Sequence, residues 1–412
     1  WDLQQVRDKQ LAGEWSYEGP ADPGAYFAWG NQNTGSLGLN NNVSNYSSPT
    51  QVGSEYSWKT VYQGTRSLGL KNDGTLWSWG YNGGGVAGNL GLNQTYVPNG
   101  NNSKSSPTQI PGTDWASTTH NGGQAVVVKT DGTMWIWGDN EYGRLGLNDQ
   151  VDRSSPTQIP GTWNTGEGTT IICGNSDNSI MHVKTDGTLW AWGDNLQGNL
   201  ALNSATDGRS SPVQIPGSYK ATDGGIGTTG KSSQYAIKTD GTLWSWGRNF
   251  NGQLGINVRN SSYYRISSPI QVGTDTDWDY LSKGIGDHDA MKAMFAIRTD
   301  GTLWGMGYLI YGMLGNNFGS ASQSGSGSIA SYSSPVQCCG STNTWNRVAQ
   351  GSYGVIATKS DGTLWAWGYN GNGQVGNNTN QPSGVSSPVQ IPGTKWKFCT
   401  ADKLMRGAIK TQ

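Results

Sequence analysis

The chain has 412 residues, of which 63 are Gly and 20 are Trp, while only 13% are charged and the net charge is −1. This composition is too aromatic for a disordered chain. The balanced charge gives no bias toward nucleic acid or an anionic membrane surface. No apolar run approaches the ~20 residues of a membrane-spanning helix. We therefore expect neither nucleic-acid binding nor membrane insertion.

Residues 1–22 precede the repeats described below and are predicted to form an extension that can dock the protein onto a larger assembly. Asp2 is suited to cap a short helix there, and Gly13 to end it. The alternative is that the segment packs on its own domain, as short amphipathic ends usually do. Because an initiator Met is not normally removed before Trp, processing or a different start is expected. The docking residues would be Trp1, Leu3, Val6, Leu11 and Trp15.

Residues 23–412 carry an internal repeat of about 50–66 residues, the range of propeller blades or a little above it. Its opening motif is "KTDGTLWAWG", which begins at Lys184. A Trp-Gly pair, or Met-Gly once, ends this motif at Gly30, Gly80, Gly138, Gly193, Gly247, Gly307 and Gly368. A Ser-Ser-Pro landmark ends at Pro49, Pro107, Pro156, Pro212, Pro269, Pro335 and Pro388. An aromatic residue follows at Trp58, Trp115, Trp163, Tyr219, Trp278, Trp345 and Trp396.

One copy of the opening motif is divided between the chain ends. The chain finishes "GAIKTQ", which matches "YAIKTD" at Tyr235–Asp240, and it enters the repeat at "PGAYFAWG", residues Pro23–Gly30. A unit assembled from both ends closes a ring, whereas an open solenoid needs polar caps on its terminal repeats. We therefore predict an all-β, seven-bladed β-propeller, closed by pairing of the N- and C-terminal strands in one blade.

The motif itself predicts strands. Two apolar runs flank Asp-Gly, which is a strong signal for a hairpin. Trp190 and Trp192 then share one face of the sheet, while Leu189 and Ala191 share the other. Both faces are apolar because propeller sheets stack on each other.

The segments "WGDNEYGRLGLN" (Trp137–Asn148) and "WGRNFNGQLGIN" (Trp246–Asn257) resemble the WGxNxxGQLG signature of regulator-of-chromosome-condensation repeats. The sequences of the motifs are similar to those in the bacterial and phage branch of that family. The resemblance implies a propeller whose functions are mostly protein binding. The founding member acts on a small GTPase and binds chromatin, but its basic tail and its GTPase-facing wedge have no match here. A secreted bacterial β-lactamase inhibitor resembles this chain in its ring.

Variation is concentrated at one phase of the repeat, between the "LGLN" element and Ser-Ser-Pro. The same segment of each repeat lies at the same rim of the disc, so the variable segments gather there. Tyr and Arg are enriched at interface hot spots. We therefore predict a binding rim there, with solvated loops of no function as the alternative. The candidate residues are Tyr46, Tyr96, Arg153, Arg209, Tyr263, Tyr264, Arg265 and Tyr332.

Candidates for chemistry are few. The chain has three histidines, and His182 lies in an apolar strand that favours packing. Asp275, Asp277 and Asp279 alternate like the start of a calcium loop, but Tyr280 stands where the turn glycine belongs, so this is a weak metal candidate. We expect no cofactor, no metal and no enzymatic activity.

The predicted function is therefore a non-enzymatic propeller that binds a protein or glycan through its rim. Because the motif sequences resemble those of phage proteins, we expect a virion component, such as a decoration or receptor-binding protein, or an extracellular or cell-surface protein. The alternative is a soluble, cytoplasmic regulator or inhibitor that binds a protein. An enzyme with its site in the central channel is a third class.

Overall fold

The computed structural model describes residues 24–32, 35–41, 45–82, 88–94, 102–120, 123–163, 171–173, 179–229, 232–258, 265–284, 293–317, 331–340, 344–402 and 405–411. These residues form twenty-nine β-strands and a 3-10 helix at Glu141–Gly143. The strands are β1 (Gly24–Gly30), β2 (Tyr46–Gln51), β3 (Trp58–Tyr62), β4 (Arg66–Lys71), β5 (Leu76–Gly80), β6 (Lys104–Ile110), β7 (Trp115–His120), β8 (Gln124–Lys129), β9 (Met134–Gly138), β10 (Arg153–Ile159), β11 (Ile171–Cys173), β12 (Ser179–Val183), β13 (Leu189–Gly193), β14 (Arg209–Ile215), β15 (Ile226–Thr229), β16 (Ser233–Ile237), β17 (Leu243–Arg248), β18 (Arg265–Gln271), β19 (Trp278–Leu281), β20 (Lys283–Gly284), β21 (Ala293–Arg298), β22 (Leu303–Tyr308), β23 (Ser331–Gln337), β24 (Trp345–Gln350), β25 (Gly354–Lys359), β26 (Leu364–Asn370), β27 (Gln381–Ile391), β28 (Trp396–Ala401) and β29 (Met405–Thr411).

The strands follow one plan, which the unit from β3 to β6 shows. The inner strand β3 begins at an aromatic landmark, β4 and β5 are the central strands around Asp-Gly, and β6 is the outer strand that carries Ser-Ser-Pro. Proline fits an outer strand because an unpaired edge needs no donor. Each inner strand contacts the inner strand of the next unit, and the series returns to its start. In ring order the inner strands are β3, β7, β11, β15, β19, β24 and β28.

The all-β propeller is confirmed, but the predicted seven-bladed arrangement is wrong. The described strands form five hydrogen-bonded sheets, of eight, four, four, nine and four strands. Gly24 of β1 pairs with Trp58 of β3, and the short strand β20 pairs in parallel with both β15 and β24. Inner strands lie close together near the axis, so backbone groups of neighbouring units form hydrogen bonds there and merge sheets that the repeat presents as separate.

The two ends of the chain meet in the eight-stranded sheet. Strand β1 pairs antiparallel with β29, from Gly24 opposite Thr411 to Gly30 opposite Met405. The indole nitrogen of Trp29 also donates to the carbonyl of Gln374, at 3.0 Å. The predicted pairing of the terminal strands is therefore present.

The core is built around the tryptophan that precedes the motif glycine. Trp79 is fully buried, and its indole donates to the carbonyl of Ser36 in the preceding unit, at 3.0 Å. Burial of so large a ring removes much apolar area from water, which stabilises the fold, and the hydrogen bond fixes one unit against the next. The same bond to the preceding unit is made by Trp29, Trp137, Trp192, Trp246 and Trp367.

The Asp-Gly-Thr turn is a chain of hydrogen bonds. Asp73 accepts from the backbone N–H of Thr75 at 2.9 Å and from its hydroxyl at 2.6 Å. The Thr75 hydroxyl in turn accepts from the indole of Trp77, at 2.9 Å. These bonds explain why the motif keeps Asp, Thr and Trp at fixed spacing. Equivalent turns lie at Asp131, Asp186, Asp240, Asp300 and Asp361.

The cation that opens the motif lies against indole rings. The Lys71 ammonium is 5.2 Å from the Trp58 ring and 4.1 Å from the Trp77 ring, which belong to the inner strand and the second central strand. Such cation–π contacts are worth about 0.5–2 kcal/mol when partly desolvated. The cation thereby joins strands of the unit. Lys129, Lys184, Arg298 and Lys359 each lie over two rings in the same way.

Candidate protein-binding face

The strand order gives the disc two different faces. The face that we name the loop face carries the turns from inner to first central strand and the loops from second central to outer strand. The opposite face, named the turn face, carries the Asp-Gly-Thr turns and the links from outer strand to the next inner strand. The variable segments of the sequence belong to the loop face.

Four predicted rim residues occupy one register position in different units. Tyr46, Arg153, Arg209 and Tyr332 each lie opposite the motif glycine, near the start of an outer strand. They are thus distributed around the rim, one in each of four units. Arg265 is exposed and lies one position earlier, opposite Arg248.

Several of these side chains are engaged within the chain. Arg153 binds Asp149 at 2.6 Å, and Arg209 donates to the carbonyl of Gly208 at 3.0 Å. Tyr46 accepts from the amide of Asn41 at 3.0 Å. The other predicted binding and docking residues lie outside the described part of the chain: Tyr96, Tyr263, Tyr264, Trp1, Leu3, Val6, Leu11 and Trp15.

An arc of apolar side chains on the loop face was missed from the sequence. Tyr142, Leu196, Phe250 and Tyr311 occupy the two variable positions of the WGxNxxG signature in consecutive units. Tyr142 is 44% exposed and Leu196 is 47% exposed, while Phe250 and Tyr311 are half-buried. The sequence signal for these residues is that the two positions change from polar to apolar between copies of an otherwise constant signature.

The arc continues into a cluster of tyrosines. The ring centroid of Tyr311 is 5.0 Å from that of Tyr353 and 5.3 Å from that of Tyr369, both in edge-to-face geometry. The ring centroids of Tyr353 and Tyr369 are 6.3 Å apart. Burial, with the neighbouring Tyr311 and Tyr308, raises the pKa of Tyr353. The cluster therefore presents aromatic rings and hydroxyl groups on the loop face.

Two tyrosines of the arc have a left-handed backbone. The φ angle is 62° at Tyr142 and 54° at Tyr311. This region suits Gly or Asn, and a bulky side chain there is strained by about 1–2 kcal/mol. Such strain is often found where a side chain serves a function.

Ionic contacts join three consecutive units near the axis of the disc. Residues 221–225 form a bulge between two backbone hydrogen bonds. The backbone N–H of Lys220 donates to the carbonyl of Ile237, and the N–H of Ile237 donates to the carbonyl of Gly225. Asp223, in this bulge, binds Arg347 and also Lys283, the latter at 2.9 Å. Burial alone would raise the pKa of Asp223, but these two cations hold it well below its ordinary value.

The aspartates considered for a metal have cationic partners. Arg298 binds Asp275 at 2.5 Å and Asp277 at 3.5 Å, and Lys220 binds Asp279. The described residues contain no group of three His, Cys, Asp or Glu side chains placed to hold a metal ion.

The histidine and cysteine side chains that the structure describes are buried or partly buried. His182 is fully buried, with its ring 5.2 Å from that of Trp163. Burial raises the pKa of the Cys399 thiol to about 12, which keeps it protonated at neutral pH. His120 lies in β7, and His288 lies outside the described residues.

Known proteins share both repeat and fold. The Regulator of chromosome condensation (RCC1) repeat matches residues 131–176, 240–278 and 361–400, and a second form of it matches residues 345–374. Prp20p from Saccharomyces cerevisiae superposes with a TM-score of 0.74 at 17% identity, covering 95% of this chain and 92% of that chain. Human WBSCR16 gives 0.73 at 16% identity, covering 94% and 99%. These likenesses define the class, a closed β-propeller.

Several known proteins are similar to this chain in sequence. The Ultraviolet-B receptor UVR8 of Arabidopsis thaliana is 26% identical over 79% of this chain and 68% of that protein. The E3 ubiquitin-protein ligase HERC2 of Homo sapiens is 28% identical over 47% of this chain, but the match spans only 4% of that ligase. Mitochondrial RUG3 of Arabidopsis thaliana is 27% identical over 57% of this chain and 52% of that protein. The chain therefore contains repeats that match the regulator of chromosome condensation (RCC1) repeat, and it is similar in sequence to these proteins.

In the described part of the chain, no helix is both long and apolar enough to cross a membrane.

Proposed function

We propose that this chain is a non-enzymatic propeller that binds a protein partner through its loop face. The observation that carries the proposal is the arc from Tyr142 through Leu196 and Phe250 to the cluster around Tyr311. Aromatic side chains presented on a rigid scaffold are the usual anchors of protein interfaces. The predicted rim residues, including Arg265, would form the margin of this contact area.

The comparisons favour a soluble regulator over a virion component. Prp20p is described as binding Gsp1p and histones, and yeast RCC1 (Prp20) has been solved bound to Kap60. None of the relatives reported above is named as a virion or cell-surface protein, and one is named as mitochondrial. We therefore propose a location inside the cell and a protein partner, because no observation favours a glycan.

The side chains available for chemistry support a binding role. The thiols of Cys339 and Cys399 have pKa values raised to about 12 by burial, so neither supplies a thiolate near neutral pH. Asp223, the buried carboxylate at the axis, is paired with two cations, Lys283 and Arg347. This carboxylate thus has a structural partner set that stabilises the ring.

Panning a library of displayed random peptides on the immobilised full chain tests the proposal. Each isolated binder is measured against two loop-face variants, Tyr142→Ser/Leu196→Ser and Tyr311→Ser/Tyr369→Ser. The matched control is Tyr56→Ser, because Tyr56 is 41% exposed but lies on the turn face. We expect binders to weaken at least about tenfold on one loop-face variant and to be unchanged on the control.

The proposal is overturned if panning yields no binders, or if the binders depend on Tyr56 and ignore both loop-face variants. Melting temperatures of all variants are measured alongside, so that a lost binder is not confused with a lost fold.

A further inference from the structure

Three apolar side chains extend into solvent from two adjacent loops of the loop face. Tyr142 and Val151 belong to the 139–152 loop, and Leu196 belongs to the 194–208 loop. Val151 is 61% exposed, and the other two are nearly half exposed. Single exposed apolar residues are ordinary, but three on neighbouring loops of one face indicate an interaction site.

The two loops that carry these side chains pack together. The 3-10 helix that contains Tyr142 contacts β13 and β14. A Cβ atom added at Gly143 would lie 2.5 Å from the side chain of Ser210, which shows how closely the backbones approach. Within the first loop, the amide of Asn140 donates to the carbonyl of Val151, at 3.1 Å. These contacts hold the apolar group in place.

The surface around this group is acidic. From residue 139 to residue 153 and from residue 194 to residue 209 there are six carboxylates and three arginines, a formal charge of 3 − 6 = −3 against −1 for the whole chain. The carboxylates are Asp139, Glu141, Asp149, Asp152, Asp194 and Asp207. The arginines are Arg144, Arg153 and Arg209.

The arginines of this surface are held by its own carboxylates and carbonyls. Arg144 is only 6% exposed and lies 3.5 Å from Asp139 and 3.4 Å from Glu141. Arg153 is paired with Asp149. Burial raises the pKa of Asp194, which reduces its share of the negative charge, but the other five carboxylates still outnumber the three arginines. The charge that a partner meets is therefore negative.

We propose that the 139–152 and 194–208 loops form a docking surface for a positively charged protein segment that carries an apolar anchor. The anchor would pack on Tyr142, Leu196 and Val151, and Lys or Arg side chains would approach the surrounding carboxylates. Charge complementarity of this kind steers association and selects partners, while the apolar contact provides affinity. The inference rests on the proposed function and specifies the partner's chemistry.

Three synthetic peptides test the inference by fluorescence anisotropy with the full chain. One is rich in lysine with a central Leu-Phe pair, the second has glutamate in place of every lysine, and the third has glycine in place of Leu-Phe. We expect the first peptide to bind at least about tenfold more tightly than the other two. Its affinity should fall as salt is raised.

Variants locate the binding. Tyr142→Ser/Leu196→Ser should weaken the lysine–apolar peptide about tenfold or more. Glu141→Gln/Asp207→Asn should weaken it severalfold with the fold intact, since both carboxylates are exposed. The control Tyr56→Ser should leave it unchanged.

The inference is overturned if the glutamate peptide binds equally well. It is also overturned if the lysine–apolar peptide does not bind, or binds with the same affinity to the Tyr142→Ser/Leu196→Ser chain. If panned binders meanwhile depend on Tyr311 and Tyr369, the loop face remains a binding face and only the partner's chemistry is wrong.

Discussion

The hydroxyl of Tyr235 donates a 2.6 Å hydrogen bond to the backbone carbonyl of Gln253. In the other units the equivalent carbonyl accepts from a buried tryptophan indole, as that of Ser36 does from Trp79. The position of that tryptophan is taken here by Met306, which has no N–H to donate. The tyrosine of one unit thus satisfies the acceptor that the methionine of the next unit leaves open.

Removing this hydroxyl should be costly. Tyr235→Phe leaves the Gln253 carbonyl buried without that donor, and an unsatisfied buried acceptor costs about 1–3 kcal/mol. We expect a loss of that size in the free energy of unfolding, measured with denaturant. Tyr56→Phe, at an exposed tyrosine, should change stability by less than about 0.5 kcal/mol. Equal stability of the two variants would contradict the compensation.

The Asp-Gly-Thr turns predict a pH dependence. Hydrogen bonds from the hydroxyl and N–H of Thr188 lower the pKa of Asp186. A carboxyl with a lowered folded pKa stabilises the fold fully above its unfolded pKa of about 3.9, and this contribution is lost as pH falls through the folded value. Thr188→Val removes the hydroxyl donor. Its deficit in melting temperature relative to the native chain should therefore be larger near pH 7 than at about pH 3.

Part of that deficit remains at low pH, because the Trp190 indole also loses its acceptor. A deficit that is the same at both pH values would show that the Asp186 carboxylate contributes nothing through Thr188.

Breaking the axial ion pairs should destabilise the ring. Asp223→Asn leaves Lys283 and Arg347 without their shared anion, which costs about 3–5 kcal/mol when both cations are fully buried. The Arg347 side chain is 29% exposed, so we expect about 2–3 kcal/mol. Asp279→Asn is the matched control, because that side chain is 51% exposed and its ion pair should contribute less than about 1 kcal/mol. A larger effect from the control would contradict the axial role.

Tyr142 should show a trade between stability and binding. Tyr142→Asn replaces a strained left-handed tyrosine by a residue that tolerates this backbone, and we expect a gain of about 1 kcal/mol. The same change should weaken the peptide binders of the loop face. Leu196→Asn should weaken binding without the gain, because its backbone is not left-handed. A loss of stability in Tyr142→Asn would contradict backbone strain at this position.

The strands were predictable because their signals are local. Asp186, Thr188 and Trp190 are close in sequence, and each forms hydrogen bonds with the next, so the motif contains the whole turn. The five-sheet arrangement was not predictable in the same way. It depends on backbone bonds such as that of Gly24 with Trp58, which form only when inner strands meet near the axis.

The rim was predicted from loop variation, but variation does not show which side chains are already engaged. Arg153 is paired with Asp149, and a separation of four residues makes this pair predictable from the sequence. The exposure of Tyr142 and Leu196 depends on how consecutive units stack, which no single copy of the repeat reveals.

The most direct test of the loop face as the binding surface is hydrogen–deuterium exchange of the full chain with a saturating panned peptide. We predict slower exchange in residues 139–153, 194–202, 308–317 and 351–354, with the Asp-Gly-Thr turns unchanged. Protection confined to the turns at residues 130–133, 185–188 and 360–363 would contradict it.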